Sequence, residues 1–219
     1  MDKRKKAILI ALGLGDGYFT KPSHNNPTPQ LYIEHSEVQK EYIEYKHKLL
    51  ISLLGGYKPK IAKRTRVRNG KTLNSYRFVK THKYFKVLRR WMYDGNIKRF
   101  RYNYLKLLTP EALAILIMDD GSQNLKRRDD GSVKSCQFKL SICSEYLSEC
   151  NEIIKFFKDY YDIHFTSFIH MRRKKDNKPL YSIHCGTKEW KKLAKLVKPY
   201  IIPSMMYKIS ILESKSAKQ

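Results

Sequence analysis

Leu113-Ala114-Ile115-Leu116-Ile117-Met118 is apolar at every position and ends abruptly in Asp119-Asp120-Gly121. A helix that is apolar all round has to be buried rather than lie on a surface. Upstream, Thr109-Pro110-Glu111 offers a hydroxyl for the N-cap, a proline for the first helical position and an acid for the first turn. Gly121 suits the left-handed position that stops a helix. Asp120 then stands at a helix C-terminus, where the macrodipole is already negative, and it costs stability unless a cation compensates it. Leu9-Ile10-Ala11-Leu12-Gly13-Leu14-Gly15-Asp16-Gly17 repeats the arrangement. One such run is a buried helix with a glycine cap; two in matching places predict a core built on a pair of them. Ala11 and Gly15 share a helix face and are small enough for two backbones to approach closely. The expected result is two carboxylates at adjacent helix ends, a site for a hard divalent cation such as Mg²⁺. A dinucleotide-binding loop at Gly13 to Gly17 would need a preceding strand and a following helix, but residues 21–27 read as a loop.

The rest of the chain falls into two similar series. Residues 31–36 read as a strand, with Leu31 and Ile33 on one face and Tyr32 and Glu34 on the other. Residues 37–54 have helical spacing and stop at Gly55-Gly56. A basic strand over 58–68, the turn Asn69-Gly70 and a return strand over 76–80 predict a hairpin, followed by a helix over 82–93. After the second motif comes a polar excursion, 122–135. A strand over 137–142 follows, with Phe138, Leu140 and Ile142 inward and Gln137, Lys139 and Ser141 outward. A helix over 148–160, strands over 164–174 and 180–185 around a turn at 176–179, and a helix over 188–197 complete the series. The repetition predicts an internal duplication, with halves 1–104 and 105–219.

Charge decides the class of partner. The 219 residues carry 45 Lys+Arg against 20 Asp+Glu, a formal net charge of +25. Binding a polyanion relieves such self-repulsion. In the first hairpin, Lys58, Lys60, Arg64, Arg66 and Arg68 share one parity, so period two stacks them on one strand face. In the second, His170, Arg172 and Lys174 share a face with His164, Thr166 and Phe168, and Arg173, Lys175 and Lys178 crowd the tip. A two-stranded ribbon fits the DNA major groove, where Arg and Lys read guanine and neighbouring cations hold phosphates. Tyr32, Glu34, Arg77, Gln137, Lys139, Ser141 and Tyr181 are further candidates for DNA contact. No run reaches transmembrane length and no signal peptide is visible, so an intracellular rather than secreted protein is expected, without a membrane partner. The four cysteines form no Cys-x-x-Cys pair, and buried free thiols are expected.

These residues resemble the LAGLIDADG homing endonucleases in the single-chain form that carries two motifs, with the likeness nearest to the yeast mitochondrial omega-intron type. The carriers are Leu9 to Gly17, Leu113 to Gly121 and Lys198-Pro199-Tyr200-Ile201-Ile202-Pro203-Ser204-Met205-Met206-Tyr207-Lys208. The resemblance implies an α+β, pseudo-twofold αββαββα fold, in which two four-stranded antiparallel sheets form a DNA-binding saddle. It implies a monomeric, site-specific double-strand DNA endonuclease that leaves short 3′ overhangs at a long, non-palindromic target and serves intron homing. Carried onto this chain, Asp16 and Asp120 are the catalytic metal ligands, Gly15 and Asp119 belong to the metal set, and Lys98 and Lys208 are the catalytic lysines. The cofactor implied is Mg²⁺, with Mn²⁺ as a substitute. The alternative is a non-catalytic nucleic-acid binder on the same fold, such as an intron maturase or a DNA-binding regulator.

Overall fold

In the computed structural model, which describes residues 2–24 and 26–212, the first motif helix starts well ahead of its apolar run. α1 (Lys3–Leu14) is capped by Asp2, whose Oδ2 accepts from the Lys5 amide at 3.1 Å. Lys3 and Arg4 are exposed, and every residue from Ala7 to Leu14 is buried. The chain continues through β1 (Tyr18–Phe19), β2 (Gln30–Ser36), a 3-10 turn (Glu37–Gln39), α2 (Lys40–Leu54), β3 (Ala62–Arg68), β4 (Lys71–Thr81) and α3 (Phe85–Met92). A short hairpin, β5 (Tyr93–Asp94) with β6 (Ile97–Lys98), ends this unit at Lys98. The longer strands form an antiparallel sheet in the order β1-β2-β4-β3. Leu31, Ile33 and Phe78 line its buried face, where α2 packs with Tyr42, Ile43 and Leu50.

The second unit, from Arg99, contains α4 (Tyr102–Leu105), α5 (Pro110–Asp120), β7 (Gly121–Arg127), β8 (Val133–Ser144), α6 (Leu147–Tyr161), β9 (Thr166–Arg172), β10 (Pro179–Gly186) and α7 (Thr187–Val197). Two 3-10 segments follow, Lys198–Tyr200 and Pro203–Leu212. Its sheet runs β7-β8-β10-β9, the strand order of the first unit. Thr109 caps α5 by accepting from the Ala112 amide, with Pro110 at its start and Glu111 in its first turn, as the sequence implies. Trp190 of α7 lies flat on Phe138, ring centroids 3.7 Å apart, so helix and sheet share one aromatic core. Setting aside the short α4, the β5–β6 hairpin and the 3-10 segments, each unit is αββαββα: an α+β fold with two four-stranded antiparallel sheets, one per unit. The second unit begins at Arg99 rather than 105 because α4 is tied to α6. Tyr102 donates its amide to Glu152 and its hydroxyl to Asp159, and Arg99 pairs with the buried Glu149.

Several local expectations give way to packing. Gly121 is not left-handed; it is extended (φ −77°, ψ 138°) and is the first residue of β7. Glycine is required there for space instead. A Cβ on Gly121 would lie 2.5 Å from the Ile117 carbonyl oxygen, and one on Gly17 only 2.0 Å from that of Leu12. The polar excursion over 122–135 is mostly strand: β7 and the start of β8 with a tight connection between them. The basic strand begins at Ala62, not Lys58. Pro59 is buried with its carbonyl accepting from His47, and Lys80 donates to the carbonyls of Gly55 and Tyr57, so residues 55–59 are held outside the sheet. Ile142 is only half-buried beside the left-handed Cys143 (φ 51°), whereas Phe138 and Leu140 face inward as expected. All four thiols are free; Cys136, Cys150 and Cys185 are buried, and Cys143 is exposed.

Gly17→Ala and Gly121→Ala should each cost about 1–3 kcal/mol, the usual range for overpacking. Gly186→Ala, where an added Cβ meets nothing within 4 Å, should shift stability by less than about 0.5 kcal/mol. Urea unfolding of the three variants checks the contrast.

Candidate metal and nucleic-acid site

A helix leaves its last four carbonyls without intrahelical donors, and both motif helices here end beside acids. In the first unit, the Gly15 amide returns to Ala11 O and the Gly17 amide to Leu12 O, each at 3.0 Å, so the chain doubles under the helix end. Three carbonyls then converge on one cation: Lys98 Nζ donates to Leu14 O at 3.0 Å, Gly15 O at 2.6 Å and Gly17 O at 3.2 Å. The β5–β6 hairpin delivers that lysine, and Tyr93, opposite it in the ladder, accepts from the Phe19 amide. The second unit repeats the device. Lys208, from the 3-10 segment after α7, donates to Gly121 O at 2.7 Å. Each lysine thus places a cation at the negative end of a helix dipole, bound to its terminal carbonyls.

The two motif ends differ in detail. Asp119 and Asp120 are the last residues of α5 and half-buried, whereas Asp16 is exposed and lies past the end of α1, in the turn. Asp16 Oδ2 stands 3.6 Å from Nδ1 of His35, a buried residue of β2. Burial, and the nearby Asp120 charge, raise the Cys143 thiol above its ordinary value against a lowering hydrogen bond with Ser182. Burial pushes Cys136 and Cys150 to about 11 and Cys185 to about 12, so these thiols stay neutral at physiological pH. Hard oxygen donors at the motif ends are therefore the groups suited to a divalent cation: the Asp16, Asp119 and Asp120 carboxylates and the Gly15 carbonyl. The Gly15 oxygen already accepts from Lys98 but has a second lone pair to offer.

Beside the Lys208 site, an open cleft of about 500 Å³ is lined by residues 121–125, Tyr207, Lys208 and Ser210. Gln123 organises one wall. It donates to Tyr207 O and Ser210 Oγ and accepts from the Trp190 indole at 2.9 Å.

Strand register sorts the basic residues. In the first sheet Tyr32, Glu34, Arg77, Arg64, Arg66 and Arg68 share the face opposite α2, since Glu34 pairs with Arg77, Arg77 with Ala62, and Arg64 and Arg66 follow at period two. Glu34 aligns this face by bonding Arg66 and Ser75, and Arg77 lies over the Tyr32 ring. Lys63, of the other parity, pairs with Glu37 at 2.8 Å. Lys58 and Lys60 are exposed but precede the strand.

In the second sheet Gln137, Lys139 and Ser141 face away from the core, together with His184, Phe168, Ser122 and Asn124. His184 pairs with Lys139, Gln137 and His184 are 3.0 Å apart, and Phe168 stacks on His184. Ser122 and Asn124 of β7 join them by pairing with Lys139 and Gln137. His170 falls at a register shift between β9 and β10, Arg172 ends β9, and Lys174 lies beyond it in the turn. Tyr181 has the parity of Ile183 and Cys185, so it stands on the core side of β10 and not with His184. Arg173 is engaged by Asp176 first and Glu145 second; the pairing holds its guanidinium above the ordinary value and lowers Asp176 to about 2.

The sequence matches the family model "LAGLIDADG DNA endonuclease family" over residues 6–193. RecA of Mycolicibacterium flavescens is 31% identical over 95% of this chain and 46% of its own length, and RecA of Mycobacterium gastri is 29% identical over 95% and 47%. The chain thus spans about half the length of these RecA relatives. Cytochrome b mRNA maturase bI2 of Debaryomyces hansenii is 28% identical over 95% of this chain and 74% of that protein. Among solved structures, the homing endonuclease I-WcaI bound to its DNA recognition sequence matches with a TM-score of 0.73 and 26% identity, over 95% of this chain and 86% of that one.

Replacing Lys98 with Met removes the donor to three carbonyls, and replacing Lys208 removes the donor to Gly121 O. Each substitution should lower stability by about 1–3 kcal/mol, Lys98→Met by more. Denaturant midpoints at constant m-value are the measurement.

Proposed function

The chain belongs to the LAGLIDADG DNA endonuclease family, and on that premise we propose that it is an intracellular, monomeric, site-specific double-strand DNA endonuclease dependent on a divalent cation, with Mg²⁺ the natural metal and Mn²⁺ a substitute. The observation that carries the reading is the repeated motif end: an acid beside a helix terminus whose carbonyls a distant lysine of the same unit binds. Each unit also presents a polar or basic sheet face, headed by Arg64, Arg66 and Arg68 in one and by Gln137, Lys139 and His184 in the other. Among the described residues, no helix is long and apolar enough to cross a membrane.

Asp16 in one unit, and Asp119 with Asp120 in the other, are the carboxylates that would hold the metal. When bound, the metal supplies an activated water and charge stabilisation at phosphorus and at the leaving 3′ oxygen. The chain's own residues do the remaining work. Lys98 and Lys208, oriented by backbone carbonyls, polarise water and offset the negative charge that develops on the phosphate. The sheet faces bind the duplex: arginines read base edges, and the surrounding cations hold phosphates and set register. Because the two faces carry different side chains, the target is a long, non-palindromic one, and short 3′ overhangs follow from the family resemblance.

The bI2 relative supports a second reading, an intron maturase that binds RNA and does not cut. A randomised duplex library incubated with protein and Mg²⁺, with cut ends sequenced, decides between the two. Recurrent cut sites support the nuclease; intact DNA together with tight binding of a structured intron RNA supports the maturase.

Asp120→Asn should lower cutting by more than the about 10–100-fold that loss of an outer-shell partner of a metal ligand costs, while DNA binding in Ca²⁺ stays close to that of the unchanged protein. Loss of both would make Asp120 structural. Arg66→Ala should relax base preference at one position by about 1–3 kcal/mol, read from selected sites; a uniform loss across sequences, with a smaller salt slope, would assign it to a phosphate.

A further inference from the structure

Lys46 of α2 has no solvent-exposed surface, and it reaches the motif end through one histidine. Its Nζ lies 3.0 Å from His35 Nε2. On the other side of the ring, Nδ1 lies 3.2 Å from Gln39 Oε1 and 3.6 Å from Asp16 Oδ2. The chemistry of these neighbours selects a tautomer. An ammonium only donates, so Nε2 presents its lone pair to Lys46. Nδ1 then carries the proton, with Gln39 Oε1 as its hydrogen-bond acceptor and Asp16 Oδ2 just beyond hydrogen-bond distance on the same side. The Tyr42 ring packs 4.4 Å from Lys46 Nζ and 4.9 Å from the imidazole, which keeps the ring pair away from water.

We propose that Lys46 is a positioning residue: through His35 it holds an Nδ1–H on the side of Gln39 and Asp16, and the positive edge of the ring thereby orients the Asp16 carboxylate for a divalent cation. The purpose of Asp16 rests on the nuclease reading; the relay itself does not. The relay also gives a buried lysine a task beyond packing, since an apolar side chain of similar length would fill the same space without desolvating a charge.

The test begins without metal. In ¹⁵N-labelled protein, a two-bond ¹⁵N–¹H correlation spectrum should show His35 protonated on Nδ1 and unprotonated on Nε2, its peaks identified by their loss in H35N. K46M should shift the ring toward the Nε2–H form. A wild-type ring already in the Nε2–H form, or one unchanged by K46M, overturns the proposal. Cutting gives the second readout. H35A should lower it by about 10–100-fold and raise the Mg²⁺ midpoint, the range for groups that support metal ligands.

K46M should lower cutting by about tenfold, with no added loss in the H35N background, because the two changes act in series. Equal losses in both backgrounds would make Lys46 merely structural. Should K46M not fold, H35N, which keeps a donor where Nδ1 stands, should cut better than H35Q, whose amide falls nearer Nε2; the reverse order overturns the proposal. A wild type that cuts no DNA with any metal defeats the nuclease reading, while the metal-free spectrum still decides whether Lys46 sets the ring.

Discussion

A helix buried on every side has to end somewhere, and its end carries carbonyls that water does not reach. In this chain the problem is sharpened because an acid follows each buried run, adding negative charge where the helix dipole is already negative. The solution in both units is a lysine from the last element to be added. Lys98 comes from the hairpin that ends the first unit and Lys208 from the 3-10 segment after α7, at sequence separations of 81–87 residues from the carbonyls they bind. Each unit therefore closes on its own beginning. A cation local to the motif would satisfy the carbonyls equally well, but it would not tie the end of the unit to its start.

The same constraint explains why a glycine follows each acid. In the second unit helix passes to strand with no intervening loop: Asp120 ends α5 and Gly121 begins β7. The strand can leave at that angle only if the chain runs against the Ile117 carbonyl, closer than any Cβ allows. In the first unit the turn through Gly15 and Asp16 performs the same reversal with one more step, and Gly17 meets the Leu12 carbonyl. Asp16 is thereby carried out to the surface and toward His35, while Asp119 and Asp120 stay half-buried in the helix. Duplication at the level of topology coexists with two motif ends of different electrostatic character.

What the sequence reveals follows from how strongly burial imposes a period. The motif helices, the inward pairs Leu31/Ile33 and Phe138/Leu140, and the one-sided arginines of β3 are all legible, because one face or the whole element is apolar or charged. β7 is not legible, because the inward side chains Gln123 and Arg127 are polar. They are satisfied by Trp190, Tyr207 and Ser210, partners more than sixty residues away. Tyr181 shares the parity of Ile183 and Cys185 in the sequence itself, yet beside the register shifts of β8 and β9 it is only half-buried. His35 and Lys46 were missed for a different reason. A lysine on an amphipathic helix reads as solvent-facing, and only the fold brings a histidine and then an aspartate into line with it. The faint signal was positional: Lys46 follows Tyr42 and Ile43 and precedes Leu49 and Leu50 on the apolar stripe of α2.

Net charge alone does not locate a binding face, because many of the cations are engaged inside the protein. Lys63 answers Glu37, Arg99 answers Glu149, Arg173 answers Asp176 and Glu145, Lys192 answers Asp162, and Lys80 and Lys98 are bound by carbonyls. With those set aside, Arg64 and Arg68 stand out on the strand face opposite α2, where among the described residues no carboxylate lies within ion-pair reach of either. The neighbouring Arg66 is held by Glu34 in a half-exposed pair worth at most about 1 kcal/mol. Such a pair keeps the guanidinium extended yet yields readily to a better acceptor. Among the described residues that face thus has two arginines without an ion pair and a third on a weak tether, so on the proposed nuclease reading it has little of its own to lose on meeting phosphates or guanine edges, whereas the engaged cations would have to break a bond first. On the proposed nuclease reading, that face should contribute more to binding than the engaged cations do, even though the positive charge is spread along the whole chain.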